Sequence, residues 1–293
     1  MRSSLALVLS LLLLTACHNK AAPTPVDQPR LPANVRMQDV TLQSSALGRP
    51  MPYRAILPSA IPSGQELPVV YLLHGGGGNF RDWSNYSDIA RFSVEGLILV
   101  MPEGESSYYV NAADRPKDRF ENYIVEDLIA DVESRFPVAG GRANRAIVGV
   151  SMGGFGAVTL AMKHPDRFAF VGGLSSAIDV PSRPFSLKRI SQYRGHAQIF
   201  GPWGSQMRKA NDPYVLVEKS EPSKVPYLYL ICGEQEGLLP ANRRFATLLQ
   251  KYHFNYEFHE GNGGHDWNQW NRRLPELLQA LRQHFLNQVK LNS

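Results

Sequence analysis

Gly149-Val150-Ser151-Met152-Gly153-Gly154 decides how the rest of this chain is read. It follows Arg145-Ala146-Ile147-Val148, a short apolar run of strand type. It precedes Phe155-Gly156-Ala157-Val158-Thr159-Leu160-Ala161-Met162, whose composition and spacing predict a buried helix. A strand, then G-x-S-x-G, then a helix is the context of a sharp turn that presents a serine hydroxyl at the edge of a sheet. Side chains in place of the flanking glycines would collide with the neighbouring strand and helix. With glycine and serine each near 7% of residues, roughly one chain in ten of this length holds the pattern by chance. Its surroundings therefore carry the reading.

Upstream, Leu67-Pro68-Val69-Val70-Tyr71-Leu72-Leu73 has the continuous apolar character of a strand buried on both faces. It runs directly into His74-Gly75-Gly76-Gly77-Gly78. Four glycines after a central strand let backbone N–H groups turn toward a ligand, and the G-K-[ST] ending of a phosphate loop is missing. An oxyanion-binding loop is the expectation, with the N–H groups of Gly76 and Met152 as donors. His74 is too close to that loop to act as a base and is expected to fix it by hydrogen bonding.

A serine hydroxyl needs a base within hydrogen-bond reach. His265 is the candidate, in a glycine-rich turn after the last expected strand, with His196 as the weaker rival. A carboxylate must hold the base in its working tautomer. Glu236 is placed first, ahead of Glu234 and Asp179, and spacing alone separates them little.

The remaining chain alternates expected strands and helices. Strands are expected at 35–42, 52–57, 96–101, 169–174, 227–232 and 256–259, and helices at 83–92, 121–136, 214–219, 241–252 and 267–286. The first two strands, joined at Gly48-Arg49-Pro50, read as an antiparallel edge. The whole predicts an α/β fold with a mostly parallel sheet covered on both faces and functional loops at the strands' carboxyl ends. Residues 179–211 form an irregular Pro/Gly/aromatic insert of lid or binding type. Trp83, Tyr108, Tyr109 and Trp203 are candidates for an aromatic substrate pocket.

The 293 residues, 43% hydrophobic, suit one large domain, and the formal net charge of +5 comes without a dense basic block or nucleic-acid motif. Arg2 and the apolar run Leu5 to Ala16, too short for a bilayer span, suit a signal peptide. Leu14-Thr15-Ala16-Cys17 resembles a bacterial lipobox, in which Cys17 is lipidated. The expectation is an exported lipoprotein anchored to a membrane through that lipid. His18, where Asp would signal retention, favours the outer membrane in a Gram-negative host. Residues 18–34, with Pro23, Pro25, Pro29 and Pro32, read as an extended tether, and the catalytic domain is expected over 35–293. Cys17 and Cys232 are the only cysteines, so a lipidated Cys17 leaves no intrachain disulfide.

Tyr71-Leu72-Leu73-His74-Gly75, Gly149 to Gly154, Cys232-Gly233-Glu234-Gln235-Glu236 and Gly263-Gly264-His265-Asp266-Trp267 together resemble the esterase D / tributyrin esterase family. That family is related to S-formylglutathione hydrolases, feruloyl esterases and the antigen 85 mycolyltransferases. The resemblance spans about Val35 to Phe285. It implies an α/β-hydrolase that acts on carboxylic esters through a Ser151, Glu236, His265 triad, without cofactor or metal. Relatives usually carry Asp where this chain has Glu236, whose extra methylene changes the reach of the acid. Feruloyl-type esterase activity, acyl transfer to a surface sugar and a non-catalytic surface binding module are the rival readings.

Overall fold

The computed structural model describes residues 26–183 and 190–292; Cys17, the apolar run before it and the first part of the expected tether lie outside them. Eight strands form one sheet: β1 (Val35–Ser44), β2 (Arg49–Pro58), β3 (Val69–Leu73), β4 (Ile98–Pro102), β5 (Arg145–Val150), β6 (Phe170–Leu174), β7 (Tyr227–Gly233) and β8 (Tyr256–Gly261). Their spatial order is β1-β2-β4-β3-β5-β6-β7-β8. β1 and β2 are antiparallel to each other, β2 is antiparallel to β4, and β3 to β8 are parallel.

Strand alternation divides the core in two. On β3, Val69, Tyr71 and Leu73 face one side with Ile147 of β5, while Val70 and Leu72 face the other with Val148 and Val150. The first side is covered by α3 (Phe120–Asn122), a π-helical stretch (Tyr123–Leu128), α4 (Ile129–Arg135), α5 (Met152–Lys163), α8 (Pro213–Lys219) and α9 (Leu239–Lys251). The second is covered by α1 (Asp82–Tyr86), α2 (Arg91–Val94) and α10 (Trp267–Asn292), which contributes Trp270, Leu274, Leu277 and Leu281. The expected single helix over 83–92 is two short ones. Ser87 and the buried Ile89 and Ala90 lie in the break, and the Ser87 hydroxyl bonds back to Trp83 O at 2.5 Å.

Residues 179–211 are not irregular throughout. They contain α6 (Ile190–Phe200) and α7 (Gln206–Ala210), separated by a turn with Gly201 and Gly204 at positive φ. Ile199 and Phe200 anchor this segment against Val110, Phe155, Ala177 and Val180, so apolar contact with α5 holds it down. Two short helices punctuated by glycines leave too little periodicity for a sequence reading to find.

Asp212 caps α8 by accepting from Tyr214 N–H at 3.0 Å, yet it is only 6% exposed. Burial is the first cause that pushes its carboxyl up to about 6. A raised acid pKa opposes folding once the group ionises, so the cost is absent below about pH 4 and complete above about pH 6. Asp212→Asn keeps a competent cap without the charge. It is expected to stabilise the protein by about 1–2 kcal/mol at pH 8 and not at pH 4, read by denaturant unfolding at both pH values.

The expected boundary between tether and domain at residue 34 moves toward the N-terminus. Arg54 of β2 is 0% exposed, and its guanidinium donates to Asp27 at 2.6 and 3.0 Å, to Asp39 at 2.6 and 2.8 Å and to Ser84 Oγ at 2.8 Å. A buried guanidinium requires such partners, and Asp27 supplies two of the five bonds. Arg30 N–H donates to Ser84 O at 2.8 Å, and Gln28 N–H to Asn85 Oδ1 at 3.2 Å. The segment from Asp27 onward is thus part of the folded body.

Candidate active site

β3 leads to β4 on one side and β5 leads to β6 on the other, so the chain changes direction between the neighbouring strands β3 and β5. The crevice at their carboxyl ends is the expected ligand position in an open α/β sheet. The glycine run leaves β3 there, and Ser151 leaves β5. A Cβ on Gly153 would lie 2.2 Å from Leu73 O, and one on Gly149 would lie 2.2 Å from the Gly153 carbonyl. Both positions therefore exclude any larger residue.

Ser151 itself adopts φ 55° and ψ −113°, a conformation rare for a non-glycine residue. Its N–H donates to Leu174 O at 2.9 Å, and its carbonyl accepts from Phe155 and Ala177 N–H at 3.0 Å each. The strained turn is fixed from both sides. Its hydroxyl makes no capping bond to α5 and is left for another partner.

That partner is His265, whose Nε2 lies 2.9 Å from Ser151 Oγ. His265 Nδ1 lies 2.8 Å from Glu236 Oε2. A proton on Nδ1 donated to the carboxylate leaves Nε2 free to accept from the serine. The Glu236 side chain is 0% exposed, and that of His265 39%. Glu236 Oε1 accepts from Ser175 Oγ at 2.5 Å and from Gly233 N–H at 2.8 Å. Ser175 Oγ in turn accepts from Trp270 Nε1 at 2.8 Å, and the Trp270 ring meets His265 edge to face at 5.1 Å between centroids. The buried carboxylate is thus fully hydrogen-bonded, and one tryptophan touches the imidazole and steadies its acid.

The rival residues lie elsewhere. Asp179 is paired with Arg183 at 2.6 Å, and Glu234 is exposed. His196 sits 3.2 Å from Tyr108 Oη, and burial is the first cause that lowers its pKa to about 4. Cys232, buried beside Glu236, is a free thiol pushed up to about 12, first by burial and then by that carboxylate. It stays a protonated, inert filler.

The glycine run lies against the serine turn. A Cβ on Gly75 would sit 3.5 Å from Ser151 Cβ, and one on Gly76 would sit 3.9 Å from Met152 Cβ. Met152 opens α5, where N–H groups have no intrahelical acceptor and the helix dipole is positive. Buried His74 holds the loop: Gly104 N–H donates to Nε2 at 2.9 Å, and Nδ1 lies 2.8 Å from Gly75 O.

The aromatic pocket expected from Trp83, Tyr108, Tyr109 and Trp203 is not assembled. Trp83 is buried, donates through Nε1 to Leu73 O at 3.1 Å and packs on Trp267, so it supports the end of β3 from below. Tyr109 is fully buried and donates to His74 O at 3.0 Å. Trp203 is 51% exposed and lines a separate cavity with Pro181, Ser182, Arg208, Lys209 and Asp212. Tyr108 is half-buried and packs on Phe155 of α5 and Phe200 of α6. Aromatic character alone does not distinguish a strut from a wall.

A mostly parallel sheet with a serine, histidine and carboxylate linked across its carboxyl edge defines an α/β-hydrolase with the equipment of a serine hydrolase. An Esterase family model matches residues 44–281, and the chain belongs to that family. An acetyl esterase of Caldicellulosiruptor saccharolyticus is 30% identical over 217 residues, covering 72% of this chain and 81% of that protein. A diacylglycerol acyltransferase/mycolyltransferase, Ag85A, of Mycobacterium leprae is 27% identical over 256 residues, covering 75% and 76%. Among solved structures, the fluorophosphonate-binding serine hydrolase F of Staphylococcus aureus has a TM-score of 0.71 at 26% identity, covering 87% of this chain and 98% of that one.

Ser175 and Trp270 were not singled out by sequence. The pair Ser175-Ser176 directly after an apolar strand was a readable signal, since polar residues at strand ends carry function. Trp270 on an amphipathic helix gave none. Trp270→Phe keeps the ring edge near His265 and removes the N–H that steadies Ser175. It is expected to lower kcat for a short-chain ester about three- to tenfold with KM within about twofold, the cost of one neutral hydrogen bond.

Proposed function

We propose that this chain is a serine carboxylesterase acting on small carboxylic esters, with Ser151 as nucleophile, His265 as general base and acid, and Glu236 as the residue that orients His265. The unbroken run of hydrogen bonds Ser151, His265, Glu236 at 2.9 and 2.8 Å carries this reading. As Ser151 Oγ attacks the ester carbonyl, His265 Nε2 takes its proton and Glu236 stabilises the imidazolium. Gly76 and Met152 N–H bind the developing oxyanion, assisted by the dipole of α5. His265 then returns the proton to the leaving alcohol, and water releases the acyl group from Ser151 by the same steps in reverse.

A panel of chromogenic acetyl, butyryl, octanoyl and feruloyl esters tests the substrate class. Turnover is expected to fall as the acyl group lengthens, because the expected aromatic residues do not gather into a pocket. A feruloyl or long-chain optimum would overturn that preference. Acyl transfer is the second reading, favoured by the likeness to the mycobacterial acyltransferase. It differs only in that an alcohol replaces water in the second half-reaction. A product analysis with added glycerol or a disaccharide measures that partition directly.

Lipid attachment at Cys17 is part of the proposal, supported by Leu14-Thr15-Ala16-Cys17 after an apolar run. Its test is metabolic labelling with a fatty-acid analogue. Cys17→Ala is expected to abolish the label and shift the esterase out of the membrane fraction.

A further inference from the structure

The segment that enters the fold from the expected tether reaches α1, the helix into which the glycine loop runs. That loop is held at its entry by β3. Its exit runs through Asn79, Phe80 and Arg81 into α1, a helix of only five residues with no side-chain cap bond at its start. So short a helix has little stability of its own and depends on what packs against it. One support is Trp83 beneath β3. A second is Glu103, whose Oε2 accepts from Phe80 N–H at 3.3 Å, and a third is the segment at Asp27 to Arg30. Arg54, fixed by Asp27, donates to Ser84 Oγ, which donates to Arg81 O at 2.8 Å. Arg30 and Gln28 N–H bond to Ser84 O and Asn85 Oδ1. The guanidinium groups of Arg54 and Arg81 lie over the Phe80 ring, at 5.9 and 5.0 Å from its centroid.

We infer that residues 27–30 are a positioning element for the reaction: through Arg54, Ser84 and Phe80 they brace α1 and hold the Gly75 to Gly78 loop at the spacing the oxyanion requires. This rests on the reading of Ser151 as nucleophile and Gly76 as an oxyanion donor. Asp27 touches no reacting atom; its carboxylate immobilises Arg54, and Arg54 immobilises the loop's exit. A small displacement of an oxyanion donor is felt in kcat rather than in ground-state binding.

The test compares the full chain with Asp27→Ala, Asp27→Asn, Asp27→Glu and Lys224→Ala, using a chromogenic acetyl ester and a fluorophosphonate that counts competent sites. Lys224→Ala removes only an exposed ion pair with Glu221 at 2.6 Å, away from this element. Per titrated site, Asp27→Ala is expected to lose roughly tenfold in kcat with KM within about twofold, and to be phosphonylated correspondingly more slowly. Asp27→Glu is expected to recover most of the loss, Asp27→Asn to fall between, and Lys224→Ala to match the parent chain. If Asp27→Ala does not fold, Asp27→Asn against Asp27→Glu gives the same comparison. Wild-type kcat per titrated site in folded Asp27→Ala and Asp27→Asn overturns the inference, as does a loss that only tracks the folded fraction. Ser151→Ala serves as the reference. If it is inactive while Asp27→Ala is unaffected, only the bracing role fails; if it retains turnover, the triad reading fails and the bracing role falls with it.

Discussion

Ser151→Ala is expected to abolish fluorophosphonate labelling and to lower kcat for a chromogenic acetyl ester by roughly four to six orders of magnitude, with the far-UV circular dichroism unchanged. The size follows from what the hydroxyl supplies. Without Oγ there is no acyl-enzyme, and His265 Nε2 at 2.9 Å has nothing to deprotonate except water. Residual rate over the uncatalysed reaction would come from the oxyanion donors. The fold should survive, because the φ of 55° is held by backbone bonds from Ser151 to Leu174, Phe155 and Ala177 that alanine retains. Serine and alanine carry the same Cβ, so the strain of that conformation is common to both. Active-site titration with steady-state kinetics checks the result, and labelling of the variant equal to that of the parent would exclude Ser151 as nucleophile.

Glu236→Gln is expected to cost about three to four orders of magnitude in kcat, with a smaller loss of stability of about 1–3 kcal/mol. Glu236 receives three donors: His265 Nδ1–H on one oxygen, and Ser175 Oγ–H and Gly233 N–H on the other. A glutamine has one acceptor oxygen and one NH2 group. With the oxygen toward His265, the NH2 meets the Gly233 N–H in a site with no solvent. With the NH2 toward His265, the imidazole must accept at Nδ1, which places its proton on Nε2 against Ser151 and removes the base. Either orientation fails, one through a buried clash and the other through the wrong tautomer. Kinetics and denaturant unfolding measured on the same preparation separate the two costs. A loss of less than tenfold in kcat would show that another group orients His265.

Elements whose chemistry is written locally were legible in the sequence. Ser151 stands in a glycine-rich turn after the apolar β5 and His265 in one after the edge strand β8, and both lie at the carboxyl edge of the sheet. Glu236 was favoured over Glu234 and Asp179 only by its place in the chain; the structure brings it to His265 because Gly233 N–H and Ser175 fold its side chain inward. What was illegible depends on partners distant in the chain. Ser175 meets Glu236 across 61 residues and Trp270 across 95, distances over which periodicity says nothing. Trp83 and Tyr109 look like pocket residues by type and are struts, because the positions of Leu73 O and His74 O are set by the sheet. Asp27 lies among prolines that suggest an unpacked tether, and nothing nearby announces that a buried arginine on β2 requires its charge.

If Cys17 carries the lipid proposed for it, the docking of Asp27 also sets how far the domain can stand from the membrane. A chain running free from a lipidated Cys17 to Val35 could extend about 65 Å, since each residue adds at most ~3.6 Å. Clamped at Asp27, the leash is ten residues long and spans no more than about 36 Å. A domain of this size is about 45 Å across, so the leash is shorter than the body it holds. With Cys17 lipidated as proposed, the arginine clamp would work as a stop on a cord, keeping the domain in a thin layer next to the bilayer, where the esters that dwell in that layer are the ones it would meet.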